Sequence, residues 1–234
     1  MAVKVAGNGG VVAEVSPALR SLRSQAMPVD PGTNGAYRLA LVTGVLPAAL
    51  AAAAEVFQFR WSHASKLAVI TKLKCRFLPL TPFTAATLTD HTSFDAYIAT
   101  GWSAQGTLGT AASAPSRMRQ SMPASTFTAG DIRIATTAAL GVGTKTVDAQ
   151  AIGMSLRKGN RVNPAAATEE TIMPTTDGLD LDINMADGDY PIILGGSGGG
   201  ANSHGLIVRN RTVWPAAGTG QLTVQIAWTE VDSF

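Results

Sequence analysis

The chain has one cysteine, three histidines and, across 234 residues, only 15% charged side chains. Each shortage removes a class of protein. A lone Cys75 excludes any intrachain disulfide, and with His63, His91 and His204 far apart in sequence there is no ligand set for a zinc site. The formal charge of +2 is far from the basic stripe that nucleic-acid binding needs. The longest apolar stretch, Val45 to Val56, is broken by Pro47 and Glu55 and falls short of the roughly 18 residues of a membrane span. The opening M-A-V-K-V-A-G-N-G-G also lacks the apolar run of a signal peptide. The expectation is a chain made in the cytoplasm, with no cofactor and no contact with nucleic acid or membrane.

What the chain has instead is Ala, Thr, Gly and Ser, on a length that suits one large all-β domain. A surface with so few charges, against roughly 25% in an ordinary domain, is more often covered than bare. That points to a subunit of an assembly, with a neutral monomer as the alternative. The organising stretch is Lys66 to Phe77, K-L-A-V-I-T-K-L-K-C-R-F. A period of two puts Leu67, Val69, Thr71, Leu73, Cys75 and Phe77 on one face and Ala68, Ile70, Lys72, Lys74 and Arg76 on the other, as in a half-buried strand. Cys75 is then a small buried hydrophobe.

Taken in order, residues 1–35 are rich in Gly and Pro and show no sustained period beyond a possible turn at Ala18 to Arg23. They read as an extended N-terminal arm, either disordered or ordered along a neighbouring subunit. Residues 36–234 read as a single domain. Tyr37, Leu39 and Leu41 alternate with polar or small residues, and E-V-F-Q-F-R-W sets Phe57, Phe59 and Trp61 on one side. Further strands are predicted at Thr92 to Ala99, around Ile132 and Ile134, and at Thr144 to Ile152, Tyr190 to Leu194, His204 to Trp214 and Gln221 to Val231. In the last of these Leu222, Val224, Ile226 and Trp228 face inward. Two long connections remain, residues 101–131 and 153–189, and a loop of that length is normally functional or packed on a partner. The second changes charge sign, from R-K-G-N-R to the acidic run D-G-L-D-L-D, as an insertion pairing with a complementary surface would; a solvated loop is the alternative. Eight or nine strands with irregular loops close most naturally as an antiparallel β-sandwich of jelly-roll type.

Several chemical motifs fail on inspection. Gly195-Gly196-Ser197-Gly198-Gly199 fits G-x-S-x-G, but the helix and parallel framework of a nucleophile elbow are missing. Asp180, Asp182 and Asn184 have calcium-loop spacing, yet Met185 stands where Gly is required and Pro191 where Glu closes the loop. A different calcium site from Asp177, Asp180, Asp182, Asp187 and Asp189 stays open. Gly141 to Thr146 resembles a phosphate loop only superficially, because no Gly precedes Lys145. The basic face Lys72, Lys74 and Arg76, extended by Arg60, Arg209 and Arg211, is either solvated or docks an acidic surface.

The blocks Y-R-L-A-L-V-T-G, F-Q-F-R-W, K-L-A-V-I-T-K-L-K-C-R-F, F-D-A-Y-I-A, G-D-I-R-I-A-T-T-A-A-L, L-I-V-R-N-R-T-V-W and Q-L-T-V-Q-I-A-W-T-E-V, in this order over residues 36–234, resemble small β-rich virion proteins of tailed bacteriophages. The resemblance implies a non-enzymatic structural protein of the particle, a head decoration or cement protein that self-associates and binds the major capsid protein. A tail or fibre component is the alternative, with a receptor- or carbohydrate-binding role resting on exposed Trp102, Trp214 or loop aromatics. For the decoration role the expected contact residues are Arg20 and Arg23 of the arm, Arg117 and Arg119 of the first long loop, and Lys72, Lys74 and Arg76 of the basic face.

Overall fold

The computed structural model describes residues 4–6, 12–16, 21–23, 35–81, 91–118, 120–158, 161–162, 169–170, 178–182, 191–195 and 203–232. The chain divides into two units, Met1–Asp30 and Pro31–Phe234. In the first, β1 (Lys4–Ala6), β2 (Val12–Ser16) and β3 (Ser21–Arg23) form an antiparallel sheet in that order. The turn expected near Arg23 is therefore a strand over its last three residues. Valines at 12 and 15 supply β-branched positions whose preference for strands is satisfied by pairing on both sides of β2.

The second unit contains β4 (Ala36–Val42), β5 (Glu55–Trp61), β6 (Leu67–Thr81), β7 (His91–Ala104), β8 (Thr110–Ala111), β9 (Ser116–Arg117), β10 (Ile132–Ile134), β11 (Thr144–Val147), β12 (Gly153–Lys158), β13 (Arg161–Val162), β14 (Glu169–Glu170), β15 (Gly178–Asp182), β16 (Ile192–Leu194), β17 (Ser203–Asn210) and β18 (Thr219–Val231). A first sheet runs β15-β6-β18-β4-β9, with β16 also on β6; a second runs β11-β7-β17-β5-β10-β8, with β12 also on β7. Every described pairing of these two sheets is antiparallel, and β13 pairs with β14 separately. The chain changes sheet at each step from β4 through β7, stays beside β7 for β11 and β12, then alternates again through β15 and β16, β17 and β18. That strand order is a jelly roll, as the alternation predicts, and the described residues include no helix.

Aromatic contacts hold the two sheets face to face. Phe59 of β5 meets Trp228 of β18 edge-on at 5.3 Å, and Tyr37 of β4 lies 5.8 Å from the same indole. Toward the other end Phe77 of β6, Phe94 of β7 and Trp214 form a triangle with sides of 5.3, 5.3 and 5.7 Å. Each such pair adds about 0.5–1.5 kcal/mol beyond the area it buries. Cys75 is buried, as expected.

Two differences from simple alternation matter. On β6, Leu73, Cys75 and Phe77 enter the core as predicted, but so do Ala68 and Ile70. The register with β18 shifts between Ala227 and Trp228, so that Thr71 is an extra residue and the inward face changes parity there. The Thr71 hydroxyl donates to the Ala227 carbonyl at 3.3 Å, occupying the gap the bulge opens. On β5 every residue but Arg60 is buried, so this strand is covered on both faces rather than one.

The long connections are built into the sandwich. Within 101–131, β7 continues to Ala104, β8 extends the second sheet beyond β10, and β9 extends the first beyond β4. The loop thus lies along the same edge of both sheets and leaves there two exposed edge strands of only two residues each, too short to template much pairing. Within 153–189, β12 lies along β7 and β15 along β6, so the described parts are sheet rather than solvated loop.

Candidate functional site

The predicted contact residues do not form one surface. Arg20 and Arg119 lie outside the described residues. Arg23 ends β3, in register with Glu14. Arg117 sits on β9 at the edge of the first sheet, exposed, with a guanidinium N–H on the Met122 carbonyl at 3.1 Å. Lys72, Lys74 and Arg76 do share the outer face of β6, all half-buried. On one side β15 places Asp182 opposite Lys72 and Asp180 opposite Lys74. The acidic half of the charge change in the sequence therefore lies in register with lysines of this same chain. Of the five aspartates of the calcium reading, Asp177, Asp187 and Asp189 lie outside the described residues, as does Ser197.

The three arginines expected to extend the basic face belong to the other sheet. Arg60 pairs with Asp131 at 2.8 Å, Arg209 stacks its guanidinium 3.9 Å from the Tyr97 ring, and Arg211, just past β17, lies 3.7 Å from Asp95. The two tryptophans of the carbohydrate reading are core residues, Trp102 at 0% and Trp214 at 2% exposure, so neither offers a face to a sugar. Among the described residues no three His, Cys, Asp or Glu side chains gather as a metal site.

The densest chemistry lies on the outer side of the second sheet, where sequence alternation gives no hint of it. The register of β5 with β17 passes from Val208–Phe57 to Arg209–Glu55, one step on β17 for two on β5. Val56 is the extra residue, and the bulge turns Glu55 to the same side as Gln58. There the Gln58 amide N–H donates to Glu55 Oε2 at 2.5 Å, and its second N–H to the Gly141 carbonyl at 2.8 Å. From β11, Lys145 Nζ reaches the same Glu55 oxygen at 2.9 Å, also bonds the Val142 carbonyl, and lies 4.5 Å from the centre of the Trp102 ring.

This group is sealed. The Lys145 and Glu55 side chains are 0% and 3% exposed, and Gln58 is fully buried. Trp102 belongs to a small second core with Tyr97, Ala99 and Ile207, which floors the site. Above Gln58 the backbone of Gly106 closes: a Cβ there would meet Gln58 Oε1 at 2.7 Å and the Gly141 carbonyl at 1.8 Å, so only glycine fits. Burial lowers the Lys145 pKa, against the hydrogen bond and charge of Glu55, which favour the ammonium. Gln58 Oε1 is buried with no hydrogen-bond partner. An amine and a primary amide thus converge on one oxygen of a buried carboxylate.

A second buried carboxylate, Glu230, continues the inward series of β18 past Trp228. It accepts from the Ser125 hydroxyl, from Thr126 N at 3.1 Å and Oγ1 at 2.6 Å, and from Trp228 Nε1 at 3.4 Å. It thereby fixes the end of the 101–131 connection, where the Tyr37 hydroxyl donates to the Pro123 carbonyl at 2.9 Å. Burial first and the Glu230 charge second raise the Tyr37 pKa to about 12, with Arg117 opposing. No protein-family model, no curated protein and no solved structure matches the chain.

Proposed function

We propose that the chain is a non-enzymatic structural protein of a phage virion, a head decoration or cement protein that self-associates and binds across subunits of the major capsid protein. The observation that carries the reading is the jelly roll itself, closed at its edge by its own long connection. Jelly rolls recur in viral shells, and this support is analogy at the level of fold. A charge-poor chain agrees with it. So does an exposed aliphatic group at one end of the first sheet, Val42 at 56% and Leu78 at 58% exposure, with Val45 and Leu80 beside them in sequence. Val42 and Arg76 are both in register with Thr223, from opposite sides of β18, so apolar and basic groups share that end. Burying such surface against a shell would stabilise the assembled particle by mass action.

The test is the copy number of the chain in purified particles, by quantitative mass spectrometry against the major shell protein. A number comparable to the shell protein supports decoration of the head. A few copies per particle would move the chain to tail or fibre, and none would end the virion reading. Deleting residues 1–35 then asks whether that segment clasps the shell: undiminished binding of the shortened chain removes it from the contact.

A further inference from the structure

The geometry points to an intramolecular isopeptide bond between Lys145 Nζ and Gln58 Cδ, formed without an added cofactor and with Glu55 as the proton carrier. Glu55 Oε2 accepts from Lys145 Nζ at 2.9 Å and from Gln58 Nε2 at 2.5 Å, so the two nitrogens can be no farther apart than those bonds laid end to end. The amide oxygen has no partner, and both hydrogen bonds of the Gln58 amide are made by Nε2, so the amide is held through the nitrogen that must leave. The Trp102 floor and the Gly106–Gly141 backbone exclude the water that would otherwise compete as nucleophile.

The step balances within the site. Lys145 passes a proton to Glu55, which leaves a neutral amine and a neutral carboxyl. The Nζ lone pair attacks Gln58 Cδ, the Nζ–Cδ bond forms, and the Cδ–Nε2 bond breaks. The neutral Glu55 carboxyl gives its proton to Nε2, which departs as ammonia; the Glu55 carboxylate then takes the surplus proton from Nζ and passes it to the ammonia, which leaves the site as ammonium. The net change converts the Lys145 ammonium and the Gln58 primary amide into one secondary amide and free ammonium, with no oxidation or reduction. Burial lowers the Lys145 pKa and so favours the neutral amine that the attack needs. Fixed proximity of this kind is worth effective molarities of about 10⁵–10⁸ M in favourable geometries. The bond would tie β5 to β11 across 87 residues of sequence, from position 58 to position 145. It rests on the fold alone and stands whether or not the chain is a virion protein.

The experiment is intact-mass and peptide mass spectrometry of the full-length chain, fresh and after incubation at alkaline pH. The expected wild-type product is lighter by one ammonia and gives a branched tryptic peptide joining residues 39–60 to residues 134–157. The branched peptide is the decisive readout, because succinimide formation at Asn8-Gly9 or Asn34-Gly35 loses the same mass. Lys145→Arg, which keeps the charge but forms no such amide, is expected at full mass with native circular dichroism. Glu55→Gln is expected to link at least about 100-fold more slowly, the lower range for loss of general acid–base catalysis. Wild type remaining at full mass, or losing ammonia without the branched peptide, overturns the proposal. The same rate in Glu55→Gln overturns the carrier role, and loss of water with a bond to Glu55 instead of Gln58 overturns the assignment of the acceptor.

Discussion

Glu55 and Glu230 are both buried glutamates near the end of a long strand, and both anchor a connection, yet by opposite chemistry. Glu230 receives hydroxyls, a backbone amide and an indole. Glu55 receives a lysine and an amide side chain. The difference begins in the backbone. On β18 alternation runs unbroken through Trp228 to Glu230, and the carboxylate stays on the core side. On β5 the same alternation would place Glu55 with Phe57 and Phe59 in the core, but the Val56 bulge ejects it to the outer face. One inserted residue decides whether a carboxylate meets neutral donors or a cation.

The largest effect expected from breaking this comparison is on the ion pair. Lys145→Met leaves Glu55 buried and uncompensated, and should cost about 3–5 kcal/mol in urea unfolding of freshly made chain. Glu55→Leu combined with Lys145→Met should recover most of that loss, because two apolar groups replace two charges. At the other carboxylate, Glu230→Gln retains the shape but weakens charge-assisted hydrogen bonds, for an expected loss of about 1.5–3 kcal/mol. The same variant should be nicked faster by trypsin at Arg117, since residues 125 and 126 are fixed through Glu230. Equal losses from Lys145→Met and Glu230→Gln would erase the distinction between the two anchors.

How much of this was legible follows the bulges. Period two gave β4 and β18 with the right faces, the buried Cys75 and the sandwich, because those strands are regular and half-buried. It would also have found Glu230, the next inward position after Trp228. It misplaced the first half of β6, since nothing in K-L-A-V-I-T-K announces that Thr71 is an extra residue. It could not find the Glu55 site, because a period-two reading puts Glu55 and Gln58 on opposite faces. Lys145 was visible only as part of G-V-G-T-K-T, and its burial depends on Trp102, 43 positions earlier, which is a tertiary fact.

Alkaline titration sharpens the same comparison at lower energy. The Tyr37 pKa of about 12 lies above the ordinary phenol value, so above pH 10 the unfolded chain releases the phenolic proton before the folded one does. Stability from this group is therefore complete below about pH 10 and is lost as pH rises through about 12. Tyr37→Phe should flatten the decline in that window. Lys145 works in the other direction. Its pKa is lowered, so below the ordinary lysine value the unfolded chain holds more protons than the folded one, and stability rises with pH across that interval. Lys145→Met should remove the rise while leaving the Tyr37 decline in place.

The smallest effect separates an internal role of the basic face from an external one. Lys74→Glu sets a carboxylate in register with Asp180, and like charges directly opposite on neighbouring strands are expected to cost about 0.2–1 kcal/mol at low salt and less when screened. Exchanging the pair, Lys74→Glu with Asp180→Lys, should restore the urea midpoint if the register is what holds these charges. If stability is unmoved by either change while binding to purified particles falls, then Lys74 serves a partner surface and the β6–β15 match is incidental. If stability falls and recovers with the exchange, the outer face of β6 is satisfied by its own chain, and the partner contacts of the proposed role would have to be sought at the aliphatic end near Val42 and Leu78.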